Sequence, residues 1–119
     1  MRKPHPPKPA DIGLKAKLFR GLADPSRLAV LEALRDARRC VSDLVRLTGL
    51  SQPNVSAHLA CLQDCGLVSR SREGRFVFYA VAHKEAILVL ENAEAILSRV
   101  GDHVYSCTRY ELPRSERRR

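Results

Sequence analysis

Two of the four cysteines, Cys61 and Cys65, are spaced so that they can bind a metal ion together. Residues four apart on a helix share a face, with their Cβ atoms about 5 to 6 Å apart. Two thiolates at that distance can chelate one thiophilic ion. Two ligands are too few for a stable site, so a third must come from elsewhere in the fold. The alternative is that both side chains are small apolar fillers of the core.

The composition is typical of one globular domain. The chain has 119 residues, of which 45% are hydrophobic and 29% charged. It has no apolar run near the ~20 residues that cross a bilayer and no apolar stretch typical of a signal peptide at its N-terminus. We therefore predict a cytoplasmic protein without membrane contact. Thiols stay reduced in that compartment, which favours metal binding or redox sensing over disulfides.

The net charge of +8 lies mostly in the two ends of the sequence. Residues 1–10 contain three basic side chains, and residues 113–119 contain four arginines and one glutamate. Neither segment can bury apolar surface, so we predict a disordered N-terminal tail over 1–10 and a basic tail over 113–119. The tails would attract phosphate non-specifically or keep the protein soluble. The folded domain is predicted over 11–112.

Apolar side chains recur at helical spacing four times in the first half of the chain. The first helix covers 11–22, and the second has Asp24 as N-cap, Pro25 at its first position, and an end near Asp36. A short third helix begins at position 41 or 42 and ends before Gly49. The fourth begins after Ser51 and ends before a glycine at 66. The predicted inward side chains are Leu44, Val45 and Leu47 in the third helix and Val55, Leu59 and Leu62 in the fourth.

The second half of the chain changes period. Two runs, 67–72 and 75–80, flank Glu73-Gly74 and predict a β-hairpin. A last helix from about His83 to Val100 has an apolar girdle too wide for so small a domain to cover. We therefore predict a homodimer through the terminal helices, the alternative being a long contact with the first helix alone. The fold class is mainly α with a β-hairpin wing, a winged helix-turn-helix.

A helix-turn-helix reads DNA with the N-terminal part of its second helix, and a dimer reads half-sites ~34 Å apart on double-stranded operator DNA. In the fourth helix the amides of Gln52 and Asn54 can pair with adenine. Arginines around the wing turn can enter a minor groove or touch phosphate. For Ser51 capping is the stronger interpretation, and charges on a hairpin also serve solubility. The predicted DNA-binding residues are Ser51, Gln52, Asn54, Ser56, Arg70, Arg72 and Arg75.

Three stretches, LADPSRLAVLEAL, CVSDLVRLTGLSQPNVSAHLACLQDCGLV and REGRFVFYAV, resemble the ArsR/SmtB family of metal-responsive winged-helix repressors. The doublet of Cys61 and Cys65, with a cysteine beyond the last helix, most resembles the CmtR-type cadmium and lead sensors. The resemblance implies that Cys107 is the third metal ligand, which in that branch comes from the other subunit. It implies that Cd(II) or Pb(II) releases the repressor from DNA. Soft thiolates would also accept Zn(II) or As(III).

Other metal sites of the family are incomplete in this sequence. The run from Cys40 resembles the CVCDL box of arsenic and cadmium sensors, but Ser42 replaces its second cysteine. In the last helix the ligands of a zinc site are not all present, because the corresponding positions are His83, Glu85, Ile96 and Arg99. We therefore leave Cys40 outside the site and predict no zinc or nickel site on the last helix.

Two other functions remain open: a thiol-redox-responsive repressor of the same fold, and a DNA- or metal-binding protein without regulation. His58 is interpreted as a packed histidine, whereas His103 could give zinc a fourth ligand. An enzyme is the least expected class, because the sequence has no Ser/His/Asp order, no glycine-rich phosphate loop and no acidic pair in an evident cleft.

Overall fold

The computed structural model describes Lys8 and residues 10–112. Four helices come first: α1 at Ile12–Leu22, α2 at Pro25–Ala33, α3 at Val41–Thr48 and α4 at Gln52–Asp64. Strands β1 at Val68–Glu73 and β2 at Phe76–Val81 pair antiparallel, and α5 covers Lys84–Ser106. The pair α3 and α4, followed by the hairpin, confirms the predicted winged helix-turn-helix. Most of the two predicted tails lies outside the described residues.

The starts of α1, α2 and α4 are fixed by side-chain caps. Asp11 Oδ1 accepts a hydrogen bond from Leu14 N at 3.2 Å. Asp24 Oδ2 accepts one from Arg27 N at 2.9 Å, and Ser51 Oγ accepts one from Asn54 N at 3.3 Å. These bonds satisfy amides that have no partner inside the helix. The predicted N-caps of α2 and α4 are confirmed.

Glycines end the two helices of the helix-turn-helix. Gly49 has φ +73° and Gly66 has φ +77°, a left-handed conformation that other residues rarely adopt. After α4, Leu67 N donates to Leu62 O at 2.9 Å and Gly66 N donates to Gln63 O at 3.0 Å. This pair of bonds is a Schellman motif. It turns the chain from α4 directly into β1.

The core lies between α2, α3 and α4, with one buried residue from each of β1 and α5. The first helix contributes no fully buried side chain. The second contributes three if its C-cap residue is counted. The nine buried apolar side chains are Val30, Leu31, Leu34, Leu44, Val55, Leu59, Leu62, Val68 and Leu90.

Three details of the sequence prediction were wrong. The second helix ends at Ala33, because Leu34 and Arg35 donate to Leu31 and Glu32 and tighten the chain into a turn. The side chain of Leu47 is 46% exposed, and it borders an open cleft between α2 and α3 instead of the core. The last helix continues six residues past Val100, through Gly101, whose position faces open space.

None of the helices in the described part of the chain has the length and apolar character of a membrane-spanning helix.

Candidate DNA-binding surface and metal site

The N-terminal part of α4 carries the polar residues predicted to read DNA. Gln52, Asn54 and Ser56 are exposed, whereas Val55 between them is fully buried. Ser51 is also exposed, and its hydroxyl oxygen caps the helix. Because the buried side chains fix the rotation of α4, the three polar ones point away from the core. The structure therefore brings these four residues to one end of one helix.

The wing carries the other predicted DNA-binding residues. Arg70, Arg72 and Arg75 are all exposed. The first two are two residues apart in β1 and so lie on the same face of the hairpin. Their cross-strand partners in β2 are Tyr79 and Val77. Arg72 Nε donates to Gly74 O at 3.1 Å and so fixes part of its side chain over the turn. The remaining donors of these arginines can bind the phosphates of DNA or the floor of a DNA groove.

The cysteine pair lies at the opposite end of α4. Cys61 is half-buried, and Cys65, the C-cap residue, is exposed. The helical turn between them is intact, because Cys65 N donates to Cys61 O at 3.0 Å. Both line a groove of about 390 Å³ between α1 and α4. Its apolar wall is formed by Leu14, Leu18, Leu62 and Leu67.

Cations also line this groove, and no local sequence pattern predicts them there. Lys15 and Lys17 of α1 and Arg27 of α2 all border it. Arg27 Nη1 donates to Gly21 O at 2.7 Å, whereas its buried Nε has no partner among the described residues. A helical wheel of α4 alone cannot reveal side chains that two other helices supply.

Cys107 is not brought to the cysteine pair within one chain. It follows α5 directly as its C-cap and lines a separate shallow pocket with Tyr105, Tyr110 and Leu112. Among Lys8 and residues 10–112 there is no group of three His, Cys, Asp or Glu side chains that could hold a metal ion. The two thiols of α4 fit a soft ion by their chemistry, and no His, Cys, Asp or Glu joins them as a third ligand within the described part of the chain.

Cys40 has local partners of a different kind. Its Sγ lies 3.1 Å from Ser42 Oγ and 3.3 Å from Asp43 Oδ2. The thiol hydrogen bond, with a further contribution from Arg46, holds the pKa of Asp43 below its ordinary value. The sulfur is thus one of the polar groups at the start of α3, away from the groove that holds the other pair.

The histidines do not form a metal centre among the described residues. His58 Nε2 lies 3.8 Å from Asp24 Oδ2, so α4 contacts the N-terminus of α2 through a half-buried histidine. His83 is the N-cap residue of α5 and borders a small pocket with Glu85. Ile96 and Arg99 are exposed further along the same helix. His103 is exposed in its last turn.

The wing has an anchor that the sequence analysis missed. Arg38, in the connection between α2 and α3, binds both carboxylate oxygens of Glu73 at 2.7 and 2.9 Å. Its guanidinium carbon lies 4.1 Å from the centre of the Phe78 ring. These partners are 35 and 40 positions away along the chain. The only local signal is that Glu73 is the one acidic residue of a basic hairpin.

Comparison with known proteins identifies the family. The family model described as "Bacterial regulatory protein, arsR family" matches residues 24–70. The chain is 37% identical over 94 residues to a probable mercury resistance operon repressor of Streptomyces lividans, covering 79% of this chain and 75% of that protein. It is 49% identical over 67 residues to the regulator CmtR of Mycobacterium bovis, covering 56% of this chain and 57% of that one.

A solved structure supports the same assignment. The crystal structure of Mycobacterium tuberculosis Rv0081 superposes with a TM-score of 0.72 at 34% identity, covering 82% of this chain and 99% of that one. The relatives are transcriptional regulators and not enzymes, in agreement with the sequence prediction. The chain therefore belongs to the ArsR family of bacterial transcriptional regulators.

Proposed function

We propose that this protein is a homodimeric transcriptional repressor that binds operator DNA and is released when a thiophilic metal ion binds Cys61, Cys65 and the partner's Cys107. The observation that carries the proposal is the position of the cysteine pair. It lies at one end of the helix whose other end exposes Gln52 and Asn54. One rigid helix of 13 residues therefore connects the thiols to the side chains that would meet base edges.

The homodimer is supported by apolar surface that one chain leaves uncovered. In α5 every residue from Glu91 to Val100 is exposed, and so is every residue of α1 from Ile12 to Arg20. Large apolar side chains on these two helices would otherwise face water, which monomeric proteins avoid. They are Ile12, Leu14, Leu18 and Phe19 on α1 and Leu88, Ile96, Leu97 and Val100 on α5.

A metal ion bound by these three cysteines would link α4 to the partner's C-terminal segment, and this link would produce the metal response. Three soft thiolates favour Cd(II) or Pb(II), with Zn(II) and As(III) as further candidates. Hg(II) joins them because one relative is named a mercury resistance repressor. Cys61 and Cys65 would hold α4 against the partner, in a dimer whose two recognition helices no longer fit successive grooves. A coupling of about 1 to 3 kcal/mol would suffice for useful derepression.

The test measures affinity for a DNA duplex that the parent protein selects from random sequence. The reduced protein is titrated with and without stoichiometric Cd(II), Pb(II), Zn(II), Hg(II) and arsenite. At least one metal should weaken binding, and Cys61→Ser, Cys65→Ser and Cys107→Ser should each abolish that response, whereas the control Cys40→Ser keeps it. If no metal acts but peroxide releases the DNA, the protein is a redox repressor instead.

A mixed dimer tests whether Cys107 acts across the subunits. One subunit carries Cys61→Ser and Cys65→Ser, and the other carries Cys107→Ser. If the ligands come from two subunits, this dimer retains one complete site, made of the pair from one chain and the third cysteine from the other. It should bind one equivalent of Cd(II) with thiolate charge-transfer absorption. If the mixed dimer lacks that absorption, Cys107 does not act across the subunits: either all three ligands belong to one chain or the three cysteines do not form a site.

A further inference from the structure

The connection between α2 and α3 contains three arginines that bind other parts of the fold. We call residues 35–39, with the sequence RDARR, the arginine loop. Arg38 and Arg39 contact the wing, whereas Arg35 contacts α5. The loop thus stands between an element that would meet DNA and the helix that would form the dimer.

On the wing side, Arg38 contacts both strands of the hairpin. Its two terminal nitrogens bind the carboxylate of Glu73, the last residue of β1, and its guanidinium covers the ring of Phe78 in β2. Two parallel hydrogen bonds to a carboxylate give a defined orientation. The pairing raises the pKa of Arg38 and lowers that of Glu73. Exposed ion pairs are individually weak, but this one is bidentate and forms part of a network.

The backbone of Arg39 adds a second attachment. Arg39 N donates to Tyr79 O at 2.9 Å, and Tyr79 N donates to Arg39 O at 2.8 Å. The arginine loop therefore forms a β-bridge with β2. Arg39 Nε also donates to Ala33 O at 3.2 Å, which ties the loop to the end of α2. The wing is held at a side chain of each strand and at the backbone of β2.

On the other side, Arg35 binds Glu94 of α5 and also Glu32, 3.1 Å away, in the last turn of α2. The Arg35 side chain is only 19% exposed, so its position is restricted by its neighbours. Glu94 lies in the part of α5 that the single chain leaves uncovered. A movement of α5 would therefore be transmitted to the arginine loop, which also contacts the wing.

We propose that the arginine loop fixes the position of the wing relative to α5, so that the wing follows the dimer helix when the repressor changes conformation. The inference rests on the proposed DNA-binding function. Arg35 and Arg38 are then positioning residues, which act on DNA affinity through Glu94 and Glu73. The competing explanation is that Arg38 touches phosphate and that Glu73 and Glu94 are only solvated charges.

Neutralising the acidic partners separates the two explanations. Glu73→Gln removes a negative charge from a surface near DNA, so simple electrostatics predicts tighter binding to the selected duplex. Loss of wing positioning predicts weaker binding, by about three-fold for an exposed bidentate pair. Arg38→Gln should weaken binding by a similar factor, and the double variant Arg38→Gln/Glu73→Gln should bind no worse than either single one. Tighter or unchanged binding by Glu73→Gln would overturn the proposal.

The α5 side has a matched control. Glu91 is exposed on the same helix and forms no ion pair within the described part of the chain. Glu94→Gln should weaken DNA binding by about two- to three-fold, whereas Glu91→Gln, which removes the same charge, should not. Both variants should remain dimers by sedimentation. Equal effects of the two substitutions would contradict a specific role for Glu94.

Amide hydrogen exchange reports on the wing without DNA. In Arg38→Gln and Glu73→Gln the amides of Arg39 and Tyr79 should exchange about three-fold faster, because their bridge opens more often. In Arg75→Gln, which changes a charge at the wing turn but not the anchor, they should not. Unchanged exchange in the first two variants rejects the anchor. If the parent protein selects no duplex, the proposed function fails, while exchange still decides whether the loop holds the wing.

Discussion

The four cysteines differ in what surrounds each sulfur atom. Cys61 and Cys65 border a groove with apolar walls and three cations, Cys107 follows the last helix, and Cys40 bonds to its own neighbours at the start of α3. Soft-metal chemistry needs several thiolates that can converge. The pair on α4 meets this requirement in part, whereas Cys40 has a local structural role.

The role of Cys40 can be measured through Asp43. The thiol hydrogen bond is the largest cause of the lowered pKa of this carboxyl, so Cys40→Ala should raise the Asp43 pKa towards its ordinary value. Arg46→Gln should raise it less. A carboxyl with a lowered folded pKa contributes stability above its unfolded pKa, and the contribution is lost as the pH falls through the folded value. Carbon-13 titration of the Asp43 carboxyl measures the shift, and an unchanged pKa in Cys40→Ala would contradict the bond.

Arg27 offers a test of the groove itself. A guanidinium beside the site offsets the single net negative charge that three thiolates leave on a divalent ion. We expect Arg27→Gln to weaken Cd(II) binding about two- to five-fold, the range of partly exposed charge interactions. Arg20→Gln is the control, because Arg20 is exposed on α1 and does not border the groove. Competition with a chromophoric chelator measures both affinities, and equal values would remove Arg27 from the site.

Helix ends, more than helix interiors, position the candidate DNA-binding residues. Ser51 caps α4 at one end and the Schellman motif at Gly66 closes it at the other. The same α4 therefore has a defined start, where the polar side chains are exposed, and a defined end, where the cysteines lie. Both ends are set by residues whose conformation or hydrogen bonding is local.

Capping and DNA contact can be separated at Ser51. Aspartate is as good an N-cap as serine, so Ser51→Asp should leave the free energy of unfolding within about 0.5 kcal/mol of the parent. Its charge would face phosphate, and DNA affinity should fall at least about ten-fold. Ser51→Ala should instead lower the free energy of unfolding by about 1 kcal/mol and affect DNA less. Chemical denaturation and duplex titration give the two values. Unchanged DNA affinity in Ser51→Asp would show that the cap lies outside the interface.

Local signals explain which elements the sequence could predict. Periodicity, N-caps and the two glycines identified every helix and the hairpin, because each signal lies within a few residues of its effect. The helical spacing of Leu47 from Leu44 predicts an inward side chain, but Leu47 is exposed, because it borders the open cleft between α2 and α3 instead of the core. The pairs Arg38–Glu73 and Arg35–Glu94 depend on contacts between distant segments, which no local pattern contains.

One chain alone leaves the proposed function incomplete in two ways. Its cysteine pair has no third ligand among the described residues of the same chain. Its longest helix also extends beyond the core. Leu90 and Leu97 lie seven residues apart on the same face of α5 and belong to one apolar stripe. Leu90 is buried, whereas Leu97 is 49% exposed. A second copy of the chain would meet both needs at once, by covering the stripe and bringing its own Cys107.

The dimer is best tested by two leucines of similar exposure. Leu97→Glu places a charge on the exposed part of the α5 stripe, and we expect a folded monomer, because Leu97 contributes little to the core of one chain. Leu47→Glu places the same charge on α3, where the leucine is 46% exposed, and should remain a dimer. Sedimentation at matched concentrations measures the oligomeric state, and circular dichroism should show equal helix content. Because a monomer would engage one half-site, the affinity of Leu97→Glu for a two-site duplex should fall about 100-fold. A Leu97→Glu protein that sediments as a dimer would show that α5 is not the interface.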